Sequence, residues 1–158
     1  MIGSQITKLV TATIFSVAMF GQANVHAAEG RDYSAREMAN KRIVLDFYEK
    51  GLNQKDFAAA SKYLGVYKQH NPNAEDGPAG FRKFIEFLRT NHPQSHSRIT
   101  QVFVDGDYVI LRVHAVRDPD TKGNAVVDIF KVVDGKIEEH WDSVQPIPET
   151  AKNPNGMF

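Results

Sequence analysis

The stretch AVVDIFKVVDGKIEEHWDSVQ, residues 125–145, decides the fold. Apolar and polar side chains alternate on both sides of Asp134-Gly135, a dipeptide suited to positive φ, so the stretch reads as a β-hairpin. Its strands are expected over residues 125–133 and 136–145. The same pattern recurs upstream, where residues 99–104 and 108–116 flank Asp105-Gly106-Asp107. The loop 119–123 joins the two hairpins. His140 and Asp142 are two apart and share a strand face, while Trp141 points the other way and is expected in the core. Register decides where Asp128 stands. A two-residue turn pairs Val133 with Lys136 and sets Asp128 opposite Trp141; a turn with Gly135 left-handed in a bulge pairs Val132 with Lys136 and sets Asp128 opposite His140. We favour the bulge, which puts Asp128, His140 and Asp142 on one wall.

Ahead of these strands the period is helical. Ser34 and Glu37 form a capping box, and Ala39, Ile43, Phe47 and Tyr48 follow at helical spacing to about Asn53. Asp56 caps a shorter helix carrying Phe57, Ala60, Tyr63 and Leu64, stopped by Gly65. An extended piece, residues 66–72, leads through a polar loop to a third helix with Pro78 in its first turn and Phe81, Phe84, Ile85 and Leu88 as its apolar stripe. Helices first and strands after predict an α+β domain, a curved antiparallel sheet packed on three N-terminal helices.

The chain has 158 residues, 19 basic and 19 acidic, and no cysteine. The balanced charge argues against a nucleic-acid partner, and the missing cysteines exclude disulfides and thiolate chemistry. Residues 9–20 form an apolar run after Lys8, and Val25-His26-Ala27 fits a cleavage site. The expectation is a signal peptide over 1–27, a linker over 28–33, one domain over 34–148 and an irregular tail over 149–158. Twelve apolar residues are too few to span a bilayer, so no membrane association is expected after cleavage. The exported protein, periplasmic or secreted from a bacterium, would keep 131 residues at net charge −1.

Asp142, His140 and Asp128 are the candidate catalytic residues. A carboxylate and an imidazole entering an apolar space can exchange protons with a ligand. His114 and Arg112 share a face of the neighbouring strand and are candidate substrate contacts, as are Tyr67, Gln69 and His70 before the polar loop, and Phe130; with Asn71, these loop-entry residues could bring polar groups to the cavity mouth. No metal site is expected: His92 and His96 are four apart, but Pro93 prevents a regular helix between them.

Asn40-Lys41, Phe47-Tyr48, Tyr67-Lys68-Gln69-His70-Asn71-Pro72, Asp128-Ile129-Phe130, Asp134-Gly135-Lys136-Ile137 and Glu139-His140-Trp141-Asp142 together resemble the SnoaL-like polyketide cyclases. The resemblance implies a nuclear transport factor 2-like cone with an internal pocket, usually dimeric, working without a cofactor on a small apolar molecule. It places the acid/base aspartate of an intramolecular aldol condensation at Asp142. Where the cyclases carry histidine, this chain has Asp128. The same pocket could instead hold a ligand without chemistry, or activate water through Asp128, Asp142 and Arg112.

Overall fold

A computed structural model describes residues 32–158, together with the backbone of His26–Ala27. The expected leader, apart from the His26–Ala27 backbone, and most of the linker therefore lie outside the described residues. The order of elements is β1 (His26–Ala27), α1 (Ala35–Tyr48), a π-helical turn (Glu49–Asn53), α2 (Phe57–Ala60), a 3-10 turn (Ser61–Tyr63), β2 (Leu64–Gln69), α3 (Gly77–Asn91), β3 (His96–Asp105), β4 (Tyr108–Val116), β5 (Asn124–Val133) and β6 (Lys136–Pro146). The strands form one sheet in the order β1-β3-β4-β5-β6-β2. The four long strands run antiparallel, while β1 and β2 run parallel to their neighbours at the two edges.

The capping box forms as expected: Ser34 Oγ accepts from the Glu37 amide, and the Glu37 carboxylate accepts from the Ser34 amide. The buried face of α1 is turned from the expected stripe. It carries Glu37, Asn40, Val44, Phe47 and Tyr48, and Ala39 is exposed. Two polar groups can be buried there because both are satisfied by the β3–β4 turn. The Gly106 amide donates to Glu37 Oε1 and Asn40 Nδ2 donates to the Gly106 carbonyl. A purely apolar period misses such a seam. Asp56 caps α2 through the Ala59 amide, as expected.

Gly65 does not stop a helix; it lies inside β2. A Cβ there would overlap the Glu138 carboxylate, which accepts from the Val66 amide at 2.9 Å. The glycine is thus a close-approach position at the β2–β6 edge.

The hairpin register is neither of the two expected ones. Asp134 and Gly135 both take positive φ, 48° and 75°, and the two-residue turn pairs Val133 with Lys136. The ladder shifts one residue later, between Val132↔Ile137 and Lys131↔Glu139, with Glu138 as the extra residue. Asp128 then faces Asp142 rather than His140 or Trp141. The bulge has a packing reason. Ile137 and His140, an odd three residues apart, must both face inward, and strict alternation would expel one of them.

Val102, Leu111, Val113, Phe130, Val132 and Ile137 form the inner sheet face, packed against Val44, Phe47, Phe81 and Ile85 of the helices. The tail, residues 149–158, is irregular as expected and returns to the outer sheet face, where the Met157 carbonyl accepts from Arg112 at 2.7 Å. Gly80 in α3 marks the tightest helix contact, since a Cβ would overlap the Glu75 carbonyl. Gly80→Ala is expected to destabilise the fold by about 1–3 kcal/mol through overpacking, read as a lower denaturation midpoint at unchanged m-value.

Candidate active site

A cavity of about 600 Å³ opens between the inner sheet face and the helices. Phe47, Phe81, Phe84, Leu88, Val126 and Phe130 supply most of its apolar wall. Into this wall β5 delivers Asp128 and β6 delivers His140 and Asp142, with oxygen and nitrogen atoms all within 4.8 Å of one another. The three residues grouped from sequence do share one wall. Asp128 is 4% and His140 7% exposed, so neither relies on bulk water for its hydrogen bonds.

The hydrogen bonds can be polarised by one unambiguous donor. The Asn71 amide N–H can only donate, and it reaches a Gln69 side-chain atom at 2.9 Å; that atom is therefore Oε1. His140 Nδ1 faces the same oxygen at 3.0 Å, so Nδ1 carries a hydrogen. His140 Nε2 faces Asp128 Oδ1 at 3.1 Å. A neutral imidazole protonated at Nδ1 would set a lone pair against a carboxylate there. One hydrogen must lie between Nε2 and Oδ1, whether the pair is written as imidazolium–carboxylate or as imidazole–carboxylic acid. The other Asp128 oxygen accepts from the Tyr48 hydroxyl at 3.1 Å.

Asp142 is arranged differently. It is half-buried, and both its oxygens accept from Asn71 Nδ2, at 2.7 and 2.9 Å. Gln69 and Asn71 are positioned by a parallel ladder that sets Gln69 beside His140 and by the Asp76 carboxylate, which accepts from the Gln69 amide.

Tyr67 carries a strained backbone, φ +54°, where the β2–β6 register slips. This turns its ring inward, parallel to His140 within 10° at 5.9 Å. Its phenol lines the cavity beside Gln69. Burial, then the Asp128 and Asp142 charges, push the Tyr67 phenol well up; burial, then Asp128, push Tyr48 well up too. Both remain neutral donors.

Three sequence candidates are not brought to the cavity. His70 lies on the outer side, stacked on Trp141 at 4.4 Å with Nε2 3.0 Å from Glu139. Its position follows from strand alternation after Gln69. Trp141 is likewise half-buried on the outer face rather than in the core. Arg112 donates to Gln101 Oε1 and the Met157 carbonyl, and His114 Nε2 bonds the Lys122 carbonyl beside the Phe158 ring. Both belong to the outer face because their neighbours Leu111 and Val113 fill the inner one. Water activation that relies on Arg112 therefore has no Arg112 in the cavity. Tyr67, Gln69 and Phe130 do line it. Asn71, expected at the cavity mouth, does line it, and its contact with Asp142 appears only in three dimensions; Tyr48 was missed as a site residue because it reads as helix stripe.

The model of the SnoaL-like domain matches residues 44–140. A search of curated proteins finds no match. Among solved structures, a Kribbella flavida protein named as a candidate ketosteroid isomerase is 19% identical, with TM-score 0.59 over 76% of this chain and 85% of its own. A Jannaschia protein named as a candidate SnoaL-like polyketide cyclase is 19% identical, with TM-score 0.59 over 73% and 91%. A Bacillus cereus protein named as a candidate polyketide cyclase is 23% identical, with TM-score 0.57 over 67% and 74%. At these identities the likeness establishes the fold, which is nuclear transport factor 2-like.

The raised phenols give a pH signature. A fold that favours phenol over phenolate contributes stability fully present below the unfolded tyrosine pKa of about 10, and loses it as pH rises through the folded values. In a titration followed at 295 nm, Tyr48 and Tyr67, two of five tyrosines, should ionise only together with alkaline unfolding. Smooth ionisation of all five in the folded protein would contradict their burial.

Proposed function

The chain belongs to the SnoaL-like domain family, and from that premise we propose that it catalyses acid/base chemistry at a carbonyl of a small apolar molecule, without a cofactor, as an aldol cyclase or isomerase. The observation that carries this reading is the pairing of two unlike proton sites in one apolar cavity. Asp142 is half-open, with both oxygens held by one amide nitrogen, while Asp128 and His140 are closed around a shared hydrogen.

Asp142 removes a proton from carbon next to the ligand carbonyl, and the electron pair moves onto the carbonyl oxygen. The Tyr67 phenol hydrogen stabilises the enolate oxygen. In a cyclisation the enolate carbon bonds to a second carbonyl carbon of the same molecule, and the alkoxide so formed takes the hydrogen held by Asp128 and His140. The proton on Asp142 then returns to that pair across a few ångströms, so atoms and charge are restored. In an isomerisation the same proton is returned to a different carbon.

The neighbours named for cyclase and isomerase chemistry support the reaction class, as does the depth of the apolar wall around the carboxylates. The expectations of export and dimer formation stay as proposals: an exported homodimer would still hold its chemistry within each subunit's own cavity.

The test is α-deuteration of an apolar cyclic ketone, such as 2-decalone, in D2O. Asp142→Asn keeps the shape and removes the base. The exchange rate is expected to fall about 10²–10⁴-fold. Exchange at the wild-type rate in Asp142→Asn, or no exchange above background with the wild type, would sink the proposal.

A further inference from the structure

The cavity has a second polar end. Ser95 and Ser97 line it from the start of β3, and Arg117 from the end of β4. The last paired residues of these strands there are His96↔Val116, so Ser95 and Arg117 are the next positions outward, side by side. Ser95 Oγ is fully buried and has no hydrogen-bond partner, the only such side-chain atom among the described residues. An unpaired buried hydroxyl costs about 1–3 kcal/mol, and a site that carries one has a use for it or a partner to come.

Arg117 is the matching charge. Its guanidinium lies over the Phe84 ring, 5.9 Å from the centroid, which holds it at the cavity edge. It has no ion-pair partner among the described residues. Among the nearby charges, Lys55 donates to the Ser95 and Asn53 carbonyls and has no ion-pair partner among the described residues, while two others are paired. Lys83, also on the rim, is bound to Glu75 at 2.6 Å, and the Asp118 carboxylate is taken by His92 at 2.8 Å. The rim therefore presents Arg117 beside one orphaned hydroxyl, with the Lys55 ammonium held on the Ser95 carbonyl. The inner end presents Asp128 and Asp142.

The two ends are well separated. Leu111 of β4 pairs with Asp128, and six residues of chain lead from Leu111 to Arg117, roughly 20 Å at about 3.3 Å per residue. Between them Ala115, Val126 and Phe84 make the wall mostly apolar, with Asn124 beside Ala115 as a polar break.

We propose that Ser95 and Arg117 form a carboxylate-binding subsite, so that the ligand of this cavity is an apolar carbonyl compound ending in a carboxylate, an oxo acid rather than a neutral ketone. Arg117 pairs the anion and the Ser95 hydroxyl donates to it. The acidic inner end repels the carboxylate and so fixes which end of the molecule carries the reacting carbonyl. This deepens the carbonyl reading above and rests on it for the chemistry, but the recognition stands on separate residues.

The test uses decanoate and decanamide, equal in length and unequal in charge, by titration calorimetry on the full chain. Decanoate is expected to bind about tenfold more tightly than decanamide. The preference should vanish in Arg117→Gln and shrink several-fold in Ser95→Ala, with circular dichroism confirming that both variants are folded. It should persist in Asp142→Asn, which separates failure of the catalytic reading from failure of this one. Equal affinities, no binding of either probe, or an undiminished preference in folded Arg117→Gln would overturn the subsite.

Discussion

A carboxylate and an imidazole inside an apolar wall have to satisfy one another, and the contact between Asp128 and His140 constrains everything around it. Removing either partner would leave a buried group uncompensated, a loss of about 3–5 kcal/mol for a buried charge pair. The contact exists because Glu138 bulges out of the hairpin, letting Ile137 and His140 both face inward. It is polarised because Gln69 offers an oxygen to His140 Nδ1. It is closed from the helix side because α1 sends Tyr48 to the remaining Asp128 oxygen. Sheet register, edge strand and helix thus converge on one shared hydrogen.

That convergence explains why Asp142, on the same strand and only two residues away, has a different role available to it. It pairs across the ladder with Asp128, yet its carboxylate reaches out to Asn71 in the β2–α3 loop rather than to the imidazole. Two nearby carboxylates would repel if both were bare; the hydrogen held at His140 and the Asn71 amide relieve this. The strain at Tyr67 belongs to the same arrangement, because the inward turn of that ring lets it lie along His140.

Much of this was legible in the residues. The helix–helix–helix–four-strand order, both Asp-Gly turns, the capping box and the common face of Asp128, His140 and Asp142 follow from period and turn chemistry. The register did not, because a bulge is chosen by what must be buried on both strands at once. Asp128 kept its face only because the true pairing and the expected one differ by two residues on the partner strand, an even number that preserves the alternation. The outer positions of His70, Arg112 and His114 were hidden for a related reason: alternation says which residues share a face, not which face meets the helices. Tyr48 and Ser95 could not be found by pattern, since each acquires its role from a residue more than twenty positions away or from an absent partner.

The central claim is the polarity of the chain from Asn71 through Gln69 and His140 to Asp128, and long-range proton–nitrogen NMR on ¹⁵N-labelled protein reads it directly. The account predicts that His140 Nδ1 carries a hydrogen in the folded protein at neutral pH. A bare Nδ1, with the imidazole protonated at Nε2 alone, would reverse the polarity of the network and contradict the shared hydrogen on which the proposed chemistry depends.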